Sequence, residues 1–481
     1  MDRKTTVIGR EKEKQVLEEA LRTPEAELVA VIGRRRVGKT FIIKQTYAEE
    51  TIFEITGLQD ATSDRQLEHF NFTLSKYNDT GLPLKKAESW LEAFMLLSLL
   101  LEKQMQETQK KVVFFDELPW LAKNAPDFLQ GLEYFWNSWA VNQPVVVVIC
   151  GSAASWMIRH LINNTGGLYN RITRRIYMYP FSLKEVQEYL RERKINFSSY
   201  EIVQLYMAVG GIPHYLKEIK GDKSVAQNID DLCFSPSGLL KDEFGLMFLS
   251  LFDHAEKHIA IIRALATSKQ GLPRHEIVRK AKVSENGNTT LVLEELEQSG
   301  FISSYLPYGK IKKNKLYRLT DEYSLFYLQF VENTKHDGIG TWLHISQSQT
   351  YKIWAGYAFE SICIKHLASL KHALGISGVY TLSSSFYEKG TSEHQGVQID
   401  FLLDRADNII NVFEIKFYNK EYTLTKDQAE SLRRKLWAFE AATKTRKRLS
   451  LVLVTTFGIT TNQHSSGLVE KVLTLDDLFH I

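Results

Sequence analysis

Two groups of residues in this sequence have the types and spacing to do chemistry. The first is GRRRVGKT, Gly33 to Thr40, which follows the apolar run ELVAVI and opens a helical run, GKTFIIKQTYAEE. Glycines at these places let a loop fold its backbone N–H groups around phosphate, and the dipole of the following helix favours the negative charge. Gly33, Arg34, Arg35, Arg36, Val37 and Gly38 then form the cradle, Lys39 reaches the β- and γ-phosphates of ATP, and Thr40 ligates Mg²⁺. The second group lies in VQIDFLLDRADNIINVFEIKFY, residues 397–418, where two apolar runs flank a polar turn. Asp400 interrupts the first run, and Glu414 and Lys416 interrupt the second. Two carboxylates with a backbone carbonyl make an oxygen-rich site suited to Mg²⁺. An adjacent ammonium can orient or activate water and offset developing charge, which is the equipment for phosphodiester hydrolysis.

A phosphate loop needs a second half, and VVFFDE supplies it. Four apolar residues followed by Asp116 and Glu117 place carboxylates at the end of a buried strand. Asp116 is expected to hold Mg²⁺ and Glu117 to orient the attacking water. A third apolar run, VVVVICGS, ends in Ser152, which either senses the γ-phosphate or simply closes the strand as a turn residue.

The elements that must position these groups follow from the pattern. At 481 residues the chain is too long for one core, and length suggests about three domains. Residues 1–180 alternate β-rich runs (27–32, 111–117, 144–152) with helical ones, as a parallel sheet covered by helices requires. Residues 181–250 read as helical, with GGIPHYL as a turn before another helix. Residues 251–330 give three helical segments and then a hairpin turning at PYGK, which is the winged-helix plan. Residues 331–350 are polar and aperiodic and read as a linker. Residues 351–481 read helix, strands, helix, strand, helix.

Composition bounds the rest. The net charge of +3 makes no global case for nucleic acid, so any such case must be local. Cys150, Cys233 and Cys363 form no metal-spaced pair and no disulfide framework, which fits a reducing compartment. MDRKTTVIGREKEK lacks the apolar core of a signal peptide, and the longest apolar runs fall short of a membrane span. The expectation is a soluble cytoplasmic protein with no membrane partner.

IGREKE, GRRRVGKT, FFDELPWL, CGSAASWM, GLYNR and GGIP together resemble the archaeal-type P-loop ATPases of the AAA/STAND kind, over roughly the first half of the chain and on into the winged helix. That resemblance implies an arginine finger shortly after the sensor strand, Arg171 with Arg174 as the alternate, or else a solvated charge there. It also implies a nucleotide-contacting lid element at Gly211 to Pro213. A finger acting in trans implies a homo-oligomer, although a cis role is equally open. In the winged helix the recognition helix, residues 288–300, carries Glu294, Glu295 and Glu297 with no Lys or Arg, and would repel phosphate. The hairpin offers Lys310, Lys312, Lys313, Lys315 and Arg318. It either touches a nucleic-acid backbone or belongs to a module that packs between its neighbours, and the acidic helix favours packing.

The Asp…Glu-x-Lys spacing resembles the PD-(D/E)XK nucleases, whose corresponding residues bind metal and do the chemistry. Period two puts Glu414 and Lys416 on one face, and hairpin pairing brings Asp400 near Glu414. The resemblance extends to Glu360, on the amphipathic stretch 354–367, as the helical Glu that completes the set, and to Gln428, which begins the next helix. It departs in lacking Pro before the first Asp, where Gln398 and Ile399 stand. Arg433, Arg434, Lys435, Lys444, Arg446, Lys447 and Arg448 gather positive charge, either to track a phosphate backbone or as a solvated face.

The fold class expected is therefore α/β: a P-loop ATPase with parallel sheet and helical lid, a winged-helix domain, and a C-terminal restriction-endonuclease-like domain. Its boundaries fall at 1–180, 181–250, 251–330, 331–350 (linker) and 351–481. The leading reading is an ATPase whose nucleotide state controls a Mg²⁺-dependent nuclease acting on nucleic acid, DNA rather than RNA. The competing readings are a signalling switch with an inactive C-terminal binding module, and an ATPase that remodels or loads onto DNA.

Overall fold

The computed structural model describes residues 7–78, 85–105, 109–162, 168, 170–252, 254–334, 338, 340–389 and 396–480. Gly167 and Tyr169 of GLYNR, and the Lys312 side chain, lie outside that set. The chain packs as two compact units, Met1–Pro180 and Phe181–Ile481.

The first unit is built on five parallel strands: β1 (Glu27–Ile32), β2 (Thr51–Thr56), β3 (Lys111–Asp116), β4 (Val145–Gly151) and β5 (Arg174–Tyr177), in the order β2-β3-β4-β1-β5. Every residue of β1 and β4 is buried, as their largely apolar runs require of strands covered on both faces. One face is sealed by aromatic side chains from the helices Ser63–Lys76, Trp90–Gln104 and Pro126–Ser138. Trp90 meets Phe128 edge-on at 4.8 Å, and Phe94 packs on Phe70, Phe115, Phe128 and Phe135. Burial of each such ring contributes roughly 1.5–3 kcal/mol, so the carboxyl ends of β1, β3 and β4 rest on a rigid platform.

In the second unit, helices Glu256–Ala266, Arg274–Ala281 and Gly287–Gln298 accompany a small sheet of β6 (Leu272–Pro273, between the first two helices), β7 (Ile302–Tyr305) and β8 (Leu316–Leu319), ordered β6-β8-β7. A larger mixed sheet has the order β13-β12-β11-β10-β9. Its strands are β9 (Thr381–Glu388), β10 (Val397–Arg405), β11 (Ile409–Lys416), β12 (Arg448–Thr455) and β13 (Lys471–Leu473). β9, β10 and β11 are antiparallel neighbours, whereas β11, β12 and β13 run parallel. The parallel step from β11 to β12 needs a crossover, and the helix Lys426–Thr443 provides it. Ala429, Leu432 and Phe439 of that helix pack on Ile399, Leu402, Ile410, Val412, Leu451 and Leu453.

The segment expected as a linker, 331–350, is not one. Trp342 is buried, 4.7 Å from Phe326, 5.2 Å from Phe330, 5.3 Å from Tyr351 and stacked 6.0 Å from Phe234. The Asp230 carboxylate accepts from the Trp342 amide at 2.6 Å and from the Gly340 amide at 3.2 Å. Polar, aperiodic sequence hides this because one aromatic anchor carries the packing and leaves no period to read.

The second unit also contains a buried neutral histidine. His366 Nδ1–H donates to the Ile362 carbonyl (2.8 Å), and Nε2 accepts from the Leu183 amide (3.0 Å), one of the unpaired donors at the start of the helix Leu183–Glu192. Burial pushes its pKa down to about 4, with the Lys365 charge adding to the effect. An unfolded histidine titrates near 6.5, so between these values the unfolded chain binds the extra proton. Stability is therefore full above pH 6.5 and is lost as pH falls toward 4, by roughly 3 kcal/mol. Urea unfolding of the second unit at pH 7.5 and pH 4.5 will show this drop, and His366→Gln will flatten it. An equal drop in that variant assigns the effect to other groups.

Candidate functional site

At the carboxyl end of the first sheet the chain makes a tight loop between β1 and the helix Lys39–Thr46. Gly33 sits where any Cβ would lie 2.3 Å from the Met178 carbonyl oxygen, so its glycine is required by close packing after β5. Gly38 has φ 95°, the left-handed region that glycine adopts freely, and caps the helix without a side-chain hydrogen bond. The first-turn amides of that helix are thus left to the loop. Lys39 is buried and donates to the Arg34 carbonyl (3.0 Å) and the Ser152 hydroxyl (2.9 Å). Arg35 stands over the Trp120 ring at 5.9 Å. Arg36 has φ 71°, and Val37 is buried with its carbonyl accepting from Arg10 at 3.3 Å.

β4 lies between β1 and β3, so Ser152, just past its end, faces both neighbours. The Thr40 hydroxyl donates to both oxygens of Asp116, at 3.1 and 3.0 Å. Burial, and then the Glu117 charge, push the Asp116 carboxyl up, partly offset by Thr40. Glu117 adopts φ 47°, a conformation that costs a non-glycine residue about 1 kcal/mol or more and recurs where function fixes the backbone. That kink turns its carboxylate onto Ser152, whose amide donates at 3.0 Å and whose hydroxyl donates as well. The Ser152 hydroxyl therefore joins Lys39 to Glu117. The half-buried Thr40 hydroxyl and the buried Asp116 carboxylate, close to Lys39 and the start of the helix, are ligands that fit Mg²⁺ held jointly with phosphate oxygens.

Of the two finger candidates, Arg174 is committed elsewhere. Its guanidinium pairs with Glu19 and Glu27, each at 3.2 Å, so it serves the packing of β5. Arg171 is exposed, its amide donating to the Leu168 carbonyl at 3.1 Å. Gly211 and Pro213 belong to the second unit, where the Gly211 carbonyl accepts from the Phe181 amide at 2.6 Å and Pro213 begins a short helix. Arg10 has a role the sequence does not reveal. It is buried and donates to the carbonyls of Val37 (3.3 Å) and Tyr179 (2.6 Å), bracing the phosphate loop from behind.

The carboxylate group of the second unit lies on two adjacent strands of the mixed sheet, β10 and the central β11. β10 and β11 pair with Phe401 opposite Phe413, and the same register sets Asp400 opposite Glu414. The β10–β9 register shifts between Ile399 and Leu402, an irregularity that re-aims side chains at this place. Glu414 accepts from Lys416 at 2.7 Å and from Lys435 at 3.0 Å. Burial pushes the Glu414 carboxyl up, but the two ammonium groups reverse this and hold it below its usual range. Burial works against charged Lys416, and Glu414 outweighs it, raising the lysine. Glu360, on the helix Gln349–Lys365, pairs with Arg318 of β8 at 3.2 Å. Burial pushes Glu360 up to about 7; Arg318 opposes this, and the charges of Asp400 and Glu414 add to it.

Glu360, Asp400, Glu414 and Lys416 line one cavity of about 860 Å³, together with Tyr200 and Gln204 of the helix Ser199–Val209. They share that cavity without converging: among the described residues no group of three or more His, Cys, Asp or Glu is disposed to hold a metal ion. As arranged, these carboxylates do not fit a metal centre.

One further expectation needs correction, and the two basic stretches can be placed. Gln428 does not reach this cavity, because its side chain accepts from the Thr425 amide at 3.0 Å in the capping box that starts the Lys426–Thr443 helix. Lys435, two turns on, is the residue that does. The basic run is partly spent: Lys447 pairs with Asp404 at 2.5 Å and Arg448 with Glu470 at 2.5 Å, while Arg433, Arg434, Lys444 and Arg446 are exposed. The basic hairpin is docked, with the Tyr308 amide donating to the Ser385 carbonyl of β9 at 2.7 Å and its ring 5.1 Å from Phe439. Lys315 is paired with Glu297 at 3.3 Å, and Arg318 with Glu360.

The sheet order, the loop after β1 and the Thr40–Asp116–Glu117–Ser152 constellation define a P-loop ATPase domain of α/β fold. Residues 8–219 match the family model described as an ATPase domain predominantly from Archaea. The uncharacterized protein MJECL04 of Methanocaldococcus jannaschii is 24% identical over 85% of this chain and 87% of its own length. Among solved structures, the Walker-type ATPase PABY2304 of Pyrococcus abyssi aligns with a TM-score of 0.49 and 20% identity, over 67% of this chain and 96% of that one. The ORC2 protein of Aeropyrum pernix, solved with ADPNP and ADP, aligns with a TM-score of 0.40 and 15% identity, over 72% and 96%. Among the described residues no helix is long and apolar enough to cross a membrane.

Proposed function

We propose that this chain hydrolyses ATP in its first unit and uses the nucleotide state to control a nuclease-like module, residues 351–481, acting on nucleic acid, DNA in preference to RNA. In the first unit Lys39 binds and orients the phosphates, Thr40 and Asp116 hold Mg²⁺, and Glu117 aligns the attacking water while Ser152 senses the γ-phosphate. Mg²⁺, when bound there, offsets charge on the phosphates. Arg171 serves as the finger, acting in trans within a homo-oligomer, and Gly211 and Pro213 belong to the lid. Residues 251–330 act as a winged helix that packs and relays rather than reads bases.

The observation that carries the nuclease reading is the register of β10 on β11, Phe401 opposite Phe413, which continued by one residue sets Asp400 opposite Glu414 with Lys416 ion-paired beside it. Lys416, held charged by Glu414, is placed to orient water or stabilise a developing phosphorane. Purified protein with ATP and Mg²⁺ or Mn²⁺ is expected to cleave DNA, and Asp400→Ala to lower that cleavage by about 10²-fold or more. Intact ATP hydrolysis with no cleavage of any single- or double-stranded substrate would sink it. A second reading, a switch with an inactive binding module, is favoured by the two lysines that already neutralise Glu414.

A further inference from the structure

We propose that the hairpin β7–β8 holds the carboxylate cavity in a closed form that excludes a divalent cation, with Arg318 as the bolt. The inference rests on reading Asp400, Glu414 and Glu360 as the nuclease-like set. It explains why three carboxylates of that set line one cavity and yet, among the described residues, none of the groupings is disposed to hold a metal.

The contacts come from residues 251–330 and reach two of the three candidate ligands, Glu360 directly and Asp400 through Gln398. Arg318 of β8 pairs with Glu360 at 3.2 Å, and both side chains are largely buried, 13% and 14% exposed. Gln270, just before β6, donates to the Gln398 side chain, whose own amide donates to Asp400. The Tyr305 hydroxyl fixes Gln270 by donating to its carbonyl. The hairpin connection is pinned by the Tyr308–Ser385 backbone bond and by the packing of Tyr308 on Phe439. A guanidinium paired with Glu360 repels a dication beside it and occupies a carboxylate oxygen that would otherwise be open to ligate it. Removing the bolt is therefore the step that makes the cavity competent for metal.

The test is Mn²⁺ titration of the full chain by calorimetry, without nucleotide. The proteins are wild type, Arg318→Met, Arg318→Lys and Gln270→Ala, each alone and with Asp400→Asn. Arg318→Met is expected to bind Mn²⁺ roughly tenfold or more tightly than wild type. Arg318→Lys should stay near wild type, and Asp400→Asn should erase the gain. If wild type and Arg318→Met bind equally at a site that Asp400→Asn removes, the bolt is overturned while the metal-site reading stands. If no variant shows Asp400-dependent binding, the metal-site reading falls and the bolt with it. Should Arg318→Met lack the wild-type unfolding transition, the exposed Gln270→Ala contact is read in its place, where an unchanged affinity counts against the proposal.

Discussion

Lys39→Ala will lose nucleotide binding and lower ATP turnover by about 10²- to 10³-fold. The ammonium is buried, so its charge acts in a low-dielectric setting where each contact to phosphate counts for more than in water. Alanine also leaves the Arg34 carbonyl and the Ser152 hydroxyl without the donor they share. An unsatisfied buried acceptor costs about 1–3 kcal/mol, so a lower unfolding midpoint should accompany the lost turnover. Phosphate release, fluorescent-nucleotide binding and thermal unfolding on the same preparation separate the two effects. Turnover at the wild-type rate would refute the assignment of this loop.

Glu117→Gln separates binding from chemistry. Hydrolysis should fall by about 10²- to 10⁴-fold, the usual worth of a positioned base, while nucleotide stays bound. The substitution keeps a carbonyl to accept the Ser152 amide but replaces the oxygen that takes the Ser152 hydroxyl proton with an NH₂ group. The hydroxyl must then turn round, and the charge that would draw a proton from water is gone. Asp116 benefits, because the Glu117 charge is part of what pushes its carboxyl up. Filter retention of labelled ATP beside single-turnover hydrolysis reads both quantities. Hydrolysis that persists unchanged would move the water-aligning role to another residue.

The phosphate loop is legible in sequence because its residues are contiguous and the chemistry dictates their spacing. The carboxylate strands are legible for a similar reason: a charge inside a buried strand is conspicuous against period two. What joins distant parts is not legible. Arg10 braces Val37 and Tyr179 across gaps in the chain that no local pattern spans. Arg318 reads as one more basic hairpin residue until the fold sets it on Glu360. Gln428 misleads although the run TKDQ holds the clue, since Thr followed three residues later by Gln is a capping box that consumes the side chain. Helix rotation then hands the contact to Lys435. Arg174 misleads in the same way, its charge being consumed by Glu19 and Glu27.

Trp342 has a mechanical consequence. A flexible tether at 331–350 would let residues 351–481 drift away from residues 251–330 and expose the carboxylates by simple extension. The ring instead works as a rivet through Phe234, Phe326, Phe330 and Tyr351, fastening parts of the second unit at that point. Uncovering the cavity must then be a local act, in which the hairpin lifts from the edge of the mixed sheet while the joint behind it stays shut.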